Sequence, residues 1–275
     1  MKVPGESRGI GASLMQILER LPVLSYYAKT RGWYYVISWL QRFTGVWLFI
    51  ALMVHISTLS PWQTANVFNT GMNIPARPIS VFLTWASSLV VGFHALNGGR
   101  LILYELFGRR SDEAMIRWTF GLSVMYAAIV GLLMIVKNQG VSPLFFWLMT
   151  FCIGSVTAYA VESRIGQSRH STFWKLQRIS GAFLFTAVPA YLIFLSLNPV
   201  PVDGALTGIA CVPNIFVRVV TLTLAVSTLY HAGYGLFSIA VDYASSRTLR
   251  VGMTALIAIV IAILTVLAFR LILSV

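Results

Sequence analysis

The sequence predicts an all-α membrane protein with seven transmembrane helices. The 275 residues have a mean hydropathy of +0.79 and are 57% hydrophobic but only 10% charged, against about 25% charged residues in an average soluble domain. Apolar runs recur along the whole chain, and about 20 apolar residues suffice for a helix to span a bilayer. The basic residues are also unevenly distributed between the loops. These observations exclude a soluble globular domain, a disordered chain and a fibrous repeat.

Seven apolar runs are long enough to cross a bilayer, and they alternate too weakly to be barrel strands. They are Tyr35–Leu59, Ile79–Leu106, Trp118–Val136, Leu144–Val161, Phe173–Leu197, Phe216–Val241 and Val251–Leu273. The segment 1–34 contains no apolar run typical of a secretory signal. We expect it to be a cytoplasmic arm with a short interfacial helix around Ser13–Leu24, ending near Pro22. Cys152 and Cys211 fall at different depths, so we expect no disulfide.

The basic residues predict the orientation. Seven spans put the two termini on opposite sides, and 16 of the 20 Lys and Arg residues fall on the side of the N-terminus. The other four are Arg77, Lys137, Arg218 and Arg270. By the positive-inside rule the N-terminus is inside and the C-terminus outside. The net charge of +12 therefore indicates topology rather than a nucleic-acid partner, although docking of a protein on the inner face would also use it.

The chain contains an internal duplication. Leu40-Gln41-Arg42-Phe43-Thr44-Gly45 returns as Leu176-Gln177-Arg178-Ile179-Ser180-Gly181, and Phe93-His94-Ala95 returns as Tyr230-His231-Ala232. Both three-helix units run in the same direction, so one extra crossing, Leu144–Val161, is needed between them. We therefore predict an arm (1–34), a first anchor repeat (35–138), a linker with the extra helix (139–170) and a second anchor repeat (171–275).

Two repeat-related histidines suggest a haem site. His94 and His231 lie mid-helix, and each precedes an acid, Glu105 or Asp242, by 11 residues, which places the acid on the same helix face. Each histidine is followed four residues later by a glycine, Gly98 or Gly235, which would let a flat macrocycle approach the backbone. Two imidazoles at one depth in a shared core are typical of bis-histidine haem ligation. The alternative is that both are hydrogen-bonded packing histidines.

A haem carries two anionic propionates, which arginine can pair. Arg42, Arg100 and Arg178 lie four or more residues inside apolar runs, and we expect them to have a specific anionic partner. Snorkelling to the membrane surface is the better interpretation for Arg109 and Arg110.

A quinone site is predicted at the inner end of the bundle. Ser38 and Arg42 share a helix face, and Asp242 and Tyr243 stand at the inner end of the sixth span. Hydroxyl and guanidinium donors among apolar walls suit the two carbonyls and the ring of a quinone. The repeat mates of Ser38 and Tyr243 are Trp174 and Leu106, so one inner pocket is expected rather than two.

Two further histidines bear on the alternatives. We interpret His55, near the outer end of the first span, as structural or interfacial, and His170 as solvated in an inner loop. A di-haem transmembrane electron carrier would need both as additional ligands. A transporter or a purely structural anchor is the other alternative, although transporter repeats are often inverted.

These motifs resemble a known family. Ser38-x-x-Gln41-Arg42-x-Thr44-Gly45 and His94-x-x-x-Gly98-x-Arg100 resemble motifs of the large cytochrome b anchor subunit of succinate:quinone oxidoreductase (complex II). His231-Ala232-x-x-Gly235 with Asp242-Tyr243 resembles the small anchor subunit. The chain thus resembles a fusion of the two subunits.

The resemblance implies a function in the respiratory chain and the tricarboxylic acid cycle. His94 and His231 would ligate one haem b, and Ser38, Arg42, Asp242 and Tyr243 would line a site for ubiquinone or menaquinone. The protein would be a multi-pass subunit of a bacterial cytoplasmic (inner) membrane. A flavoprotein and an iron–sulfur subunit would dock on its cytoplasmic side, for succinate dehydrogenase or for the reverse fumarate reductase. Gln41 and Leu101 stand where the family often has histidines.

Overall fold

The computed structural model describes residues 20, 22–59, 78–108, 112–136, 142–197 and 215–273. These residues form eight α-helices and contain no strand. The helices are α1 Pro22–Arg31, α2 Trp33–Leu59, α3 Pro78–Phe107, α4 Asp112–Val136, α5 Pro143–Ile165, α6 Thr172–Leu197, α7 Ile215–Tyr243 and α8 Arg247–Leu273. The protein is therefore all-helical over its described part, as the sequence predicts.

Each predicted span corresponds to one of the helices α2–α8. Six of these, all but α3, are long and apolar enough to be candidate membrane spans within the described residues. Helix α3 has 30 residues, which is longer than a bilayer requires. Its second half carries the polar residues His94, Asn97, Arg100 and Glu105.

The short helix α1 precedes the first span. It begins at Pro22. The interfacial helix predicted around Ser13–Leu24, ending near Pro22, falls mostly on residues 13–19 and 21, which lie outside the described part, and stays a prediction. Proline fits the first helical position because its missing N–H has no intrahelical acceptor there. Gly32, at φ 80°, ends α1 in the left-handed conformation that glycine adopts most easily, and its N–H is bonded to the Ala28 carbonyl at 3.0 Å.

The helix packing follows the repeat. Helices α2 and α3 pack together in the first repeat, as α6 and α7 do in the second, and the pairs meet through α3 with α6 and α2 with α7. Helix α4 packs on α3 and α6, while α8 packs on the equivalent helices α7 and α2. The extra helix α5 packs mainly on α6 and also touches α3 and α7.

Two pairs of repeat mates mark the centre of the bundle. His94 contacts its mate His231, and His55 contacts its mate Tyr191. Equivalent residues of two repeats can touch only close to the axis that relates the repeats. The pseudo-twofold axis therefore passes through both pairs, with α2, α3, α6 and α7 around it.

Candidate functional site

The two histidines of the repeat lie face to edge at the centre of the bundle. The ring centroids of His94 and His231 are 6.4 Å apart and the ring planes are at 87°. They project from α3 and α7, which belong to different repeats. No group of three or more His, Cys, Asp and Glu side chains in the described residues is placed to hold a metal ion.

Glycines on the neighbouring helices make room for both rings. A Cβ atom on Gly45 of α2 would lie 3.2 Å from Cε1 of His94, and one on Gly181 of α6 would lie 3.1 Å from Cε1 of His231. By contrast, Cβ atoms on Gly98 and Gly235, the glycines that the sequence singles out, would meet only glutamine side chains at 3.6 and 3.8 Å. The close approach to the histidines thus depends on the glycines of α2 and α6.

Thr44 is buried beside His94. Its Oγ1 lies 3.1 Å from Nδ1 of the ring and donates to the carbonyl of Leu40 at 2.8 Å. The repeat mate of Thr44 is Ser180, whose hydroxyl donates to the Gln177 carbonyl at 3.2 Å. The hydroxyl groups near the two histidines therefore form different hydrogen bonds.

A chain of hydrogen bonds leads from His94 to a buried arginine. The side-chain amide of Gln41 donates to the His94 carbonyl at 3.2 Å and accepts from Asn97 at 2.9 Å. Asn97 in turn accepts from Nε of Arg100 at 2.9 Å. Arg100 is only 3% exposed, and its guanidinium lies over the ring of Tyr104 at 5.1 Å. The predicted propionate-binding residue thus has protein partners of its own.

The second repeat has no equivalent of this network. The positions that correspond to Asn97, Arg100 and Tyr104 are Tyr234, Phe237 and Val241. Arg100, the buried charge near the histidine pair, therefore has no charged mate in the second repeat.

The structure brings the four predicted quinone-site residues together. Arg42 donates to Ser38 Oγ at 3.2 Å and to Asp242 Oδ2 at 2.9 Å, and its guanidinium lies over the ring of Tyr243 at 5.7 Å. We name these four residues the Arg42 cluster. It joins α2 of the first repeat to α7 of the second. Tyr243 is 60% exposed, so the cluster is open at the protein surface.

The repeat mates form a second cluster, which we name the Arg178 cluster. Arg178 forms a bidentate ion pair with Glu105, with both N···O distances at 2.7 Å, and lies over Trp174 at 4.8 Å. It joins α6 of the second repeat to α3 of the first, which mirrors the Arg42 cluster. Two of the three arginines for which the sequence predicts an anionic partner, Arg42 and Arg178, therefore have one, and it is a carboxylate of the other repeat.

A cavity of about 380 Å³ adjoins the Arg178 cluster. Its lining residues are Glu105, Leu106, Arg164, Ile165, Ser168, His170 and Trp174. The sequence predicts a single inner pocket, on the Tyr243 side, because Leu106 replaces the tyrosine. The cavity shows that this end of the bundle also has room on the Leu106 side.

Of the remaining histidines, His55 pairs with Tyr191, whereas His170 contacts Trp174 of the Arg178 cluster. Tyr191 Oη is 3.2 Å from Nε2 of His55, and the ring of His170 stacks on Trp174 at 4.0 Å. Cys152 is a free, exposed cysteine; Cys211 lies outside the described residues.

Sequence reasoning missed several contributors to this site. Thr44, Gly45 and Gly181 contact the histidines, and Gln41 supports the His94 backbone. All lie within the duplicated six-residue segment that begins at Leu40 and at Leu176. The duplication itself is the signal that could have found them, because a pattern kept in both repeats points to a requirement shared by both.

Comparison with known protein families shows which family the chain belongs to. The model of the family described as "Succinate dehydrogenase/Fumarate reductase transmembrane subunit" matches residues 22–135 and again residues 156–269. The chain belongs to this family. The two matches are consistent with a fused cytochrome b anchor and confirm the resemblance seen in the sequence. No curated protein and no solved structure matches the chain.

The second match begins inside the extra helix. The second match starts with residues 156–165 of α5, whereas the first starts with residues 22–31, the whole of α1. The last part of α5 therefore has a counterpart in the family, whereas the sequence repeats alone gave this helix none.

Proposed function

We propose that the protein is the membrane-anchoring cytochrome b subunit of a succinate dehydrogenase or fumarate reductase, with one haem b and one quinone site. The observation that carries the proposal is the contact between His94 and His231. In a chain of this family, two repeat-related imidazoles meet at the centre of the bundle. A packing role alone gives no reason for both repeats to place a histidine there.

The residues around this pair fit a haem. The ring centroids of His94 and His231 are 6.4 Å apart, and histidine is a protein ligand of haem iron, so these two residues would hold the haem. Gly45 and Gly181 leave room for the rings, and Gly98 and Gly235 keep side chains off the next turn of α3 and α7. The propionates would pair with arginines of the set Arg42, Arg100 and Arg178, since each guanidinium has five N–H donors. When bound, the haem iron takes up and releases single electrons.

The Arg42 cluster is the proposed quinone site. Reduction of a quinone to a quinol takes two electrons and two protons, and the polar groups of the cluster can position both carbonyls. The Tyr243 hydroxyl can donate to one carbonyl, and Ser38 and Arg42 can donate toward the other end. Asp242 holds Arg42 in place through their ion pair and provides a carboxylate for proton exchange with water.

The exposure of the cluster supports a partner on this face. Asp242 and Arg42 side chains are 51% and 39% exposed, and a quinone site needs walls that exclude water. We propose that an iron–sulfur subunit, itself bound to a flavoprotein, covers this end and delivers electrons. If α3 is counted together with the six candidate spans, the chain crosses the membrane seven times. This face is then the cytoplasmic side of a bacterial inner membrane, where the basic residues concentrate.

The positions of the other histidines favour one haem over two. His55 pairs with Tyr191, and His170 lies outside a helix against Trp174. A di-haem carrier would need both as ligands.

The quinone site is tested with the purified complex carrying Tyr243→Phe or Ser38→Ala. We expect each substitution to lower succinate:quinone reductase activity at least tenfold. Electron transfer from succinate to a soluble dye that accepts electrons before the anchor should not change. Tyr159→Phe is the matched control, since Tyr159 is 72% exposed on α5. Unchanged quinone reduction in both cluster variants would refute the site.

A further inference from the structure

The hydrogen bonds of the Thr44 hydroxyl indicate which ring nitrogen of His94 carries the proton. Thr44 is 7% exposed, and its Oγ1 lies 2.8 Å from the Leu40 carbonyl, 3.1 Å from the Gln41 carbonyl and 3.1 Å from Nδ1 of His94. A hydroxyl has one proton to donate and two lone pairs with which to accept. A carbonyl oxygen can only accept, so the single proton of Thr44 is engaged by the backbone of its own helix.

The bond to the histidine must then run in the other direction. Since the hydroxyl proton is donated to the backbone carbonyls, Oγ1 can form a hydrogen bond with Nδ1 only by accepting it from an Nδ1–H group. A neutral imidazole carries one proton, so Nδ1–H leaves the lone pair on Nε2. This is the tautomer that an Nε2 metal ligand requires.

We propose that Thr44 is a positioning residue for the His94 ligand, which it fixes in the Nδ1–H tautomer and makes more electron-donating. The proposal rests on the proposed haem function. An acceptor on the far nitrogen of a ligating imidazole fixes the ring orientation and raises the basicity of the ligand. The threonine is itself held by its bonds to Leu40 and Gln41 and by burial.

The second repeat provides a natural comparison. Ser180, the mate of Thr44, donates to the Gln177 carbonyl, but Nδ1 of His231 is buried and has no hydrogen-bond partner within the described residues. The two histidines thus differ in the hydrogen bonding of Nδ1. Removal of the Thr44 hydroxyl should have a larger effect than removal of the Ser180 hydroxyl.

The direction of the effect follows from the chemistry of the ligand. A more electron-donating imidazole stabilises ferric more than ferrous iron. Loss of the acceptor at Nδ1 should therefore shift the equilibrium toward the ferrous form and raise the midpoint potential.

The experiment compares Thr44→Val, Thr44→Ser and Ser180→Ala in the intact complex. Redox titration of the haem absorbance gives the midpoint potential, and the low-spin ferric EPR signal reports the angle between the ligand planes. For Thr44→Val, which keeps the shape of the side chain, we expect about a tenfold shift toward ferrous haem, or about 59 mV for one electron, and an altered EPR signal. Thr44→Ser should restore both values, and Ser180→Ala should shift the potential by less than half as much.

Equal potentials in the wild-type and Thr44→Val complexes would overturn the proposal, as would equal shifts in Thr44→Val and Ser180→Ala. If Thr44→Val does not assemble, Thr44→Ala provides the same readouts with the same expected direction. Failure of the haem assignment itself is distinguishable, because the wild-type complex would then show no bis-histidine haem to titrate.

Discussion

Gly181 and Gly45 each face a histidine ring at a distance shorter than a methyl group normally takes. Because a Cβ on Gly181 would lie 3.1 Å from Cε1 and 3.4 Å from Nδ1 of His231, Gly181→Ala should displace a ring that a bound metal would hold in place. We expect this variant to lower the haem content of the purified complex at least threefold, measured from the reduced-minus-oxidised spectrum per mole of chain.

Gly252→Ala is the control for this substitution, since a Cβ there has nothing within 4 Å. It should keep the wild-type haem content. Full haem content in both variants would mean that the ring of His231 can move without loss of the cofactor, and thus that the glycine has no role in the site.

Substitution of Asp242, which forms an ion pair with Arg42, should change function without changing stability. The two side chains are 39% and 51% exposed, and exposed ion pairs contribute at most about 1 kcal/mol. Asp242→Asn should therefore leave the melting temperature of the complex nearly unchanged while quinone reduction falls at least tenfold. Glu105→Gln, which changes the matching acid of the Arg178 cluster, should keep more quinone reductase activity than Asp242→Asn. Equal losses in the two variants would contradict a quinone site on the Tyr243 side.

At this scale the duplication made much of the site predictable. The offset between repeats singles out His94, His231, Arg42 and Arg178 without any knowledge of the fold. The direction of the Thr44 hydrogen bond and the bidentate geometry of Arg178 with Glu105 could not be predicted. They depend on the rotation of each helix about its axis and on rotamers, which spacing along one helix does not determine.

At the scale of helices, each of the seven apolar runs corresponds to a helix, but hydropathy did not locate the helix ends. Helix α4 begins at Asp112 rather than Trp118, and α5 continues from Val161 to Ile165. A hydropathy limit marks where apolar residues stop, whereas a helix continues for as long as its backbone hydrogen bonds can form. Helix α1 was not predicted, because its ten residues have a mixed composition that gives no apolar run.

The attachment of the extra helix α5 to α6 depends on a close contact at Gly154. A Cβ there would lie 2.9 Å from the buried Phe183 ring and 3.2 Å from Thr186 Oγ1. Overpacking of this kind costs about 1–3 kcal/mol, so Gly154→Ala should lower the melting temperature of the complex by several degrees. Gly121→Ala, with nothing within 4 Å of the new Cβ, should not. Equal melting temperatures would show that α5 can shift on α6 without cost.

At the scale of the whole molecule, the distribution of charge predicts the orientation in the membrane. An alkaline phosphatase reporter, which is active only outside the cytoplasm, should be active when fused after Val275 and inactive when fused after Ser246. The reason is the positive-inside rule, since the predicted topology places 16 of the 20 basic residues on the inner side. The reverse pattern of activity would invert the topology and would place the Arg42 cluster on the outer face.

The central claim concerns the pair of histidines on the pseudo-twofold axis, and haem stoichiometry tests it most directly. The purified wild-type complex should contain one low-spin haem b per chain, and both His94→Ala and His231→Ala should abolish its spectrum. His55→Ala, on the same axis but paired with Tyr191, should retain it. Two haems per chain, or an unchanged spectrum in either His94→Ala or His231→Ala, would contradict the account.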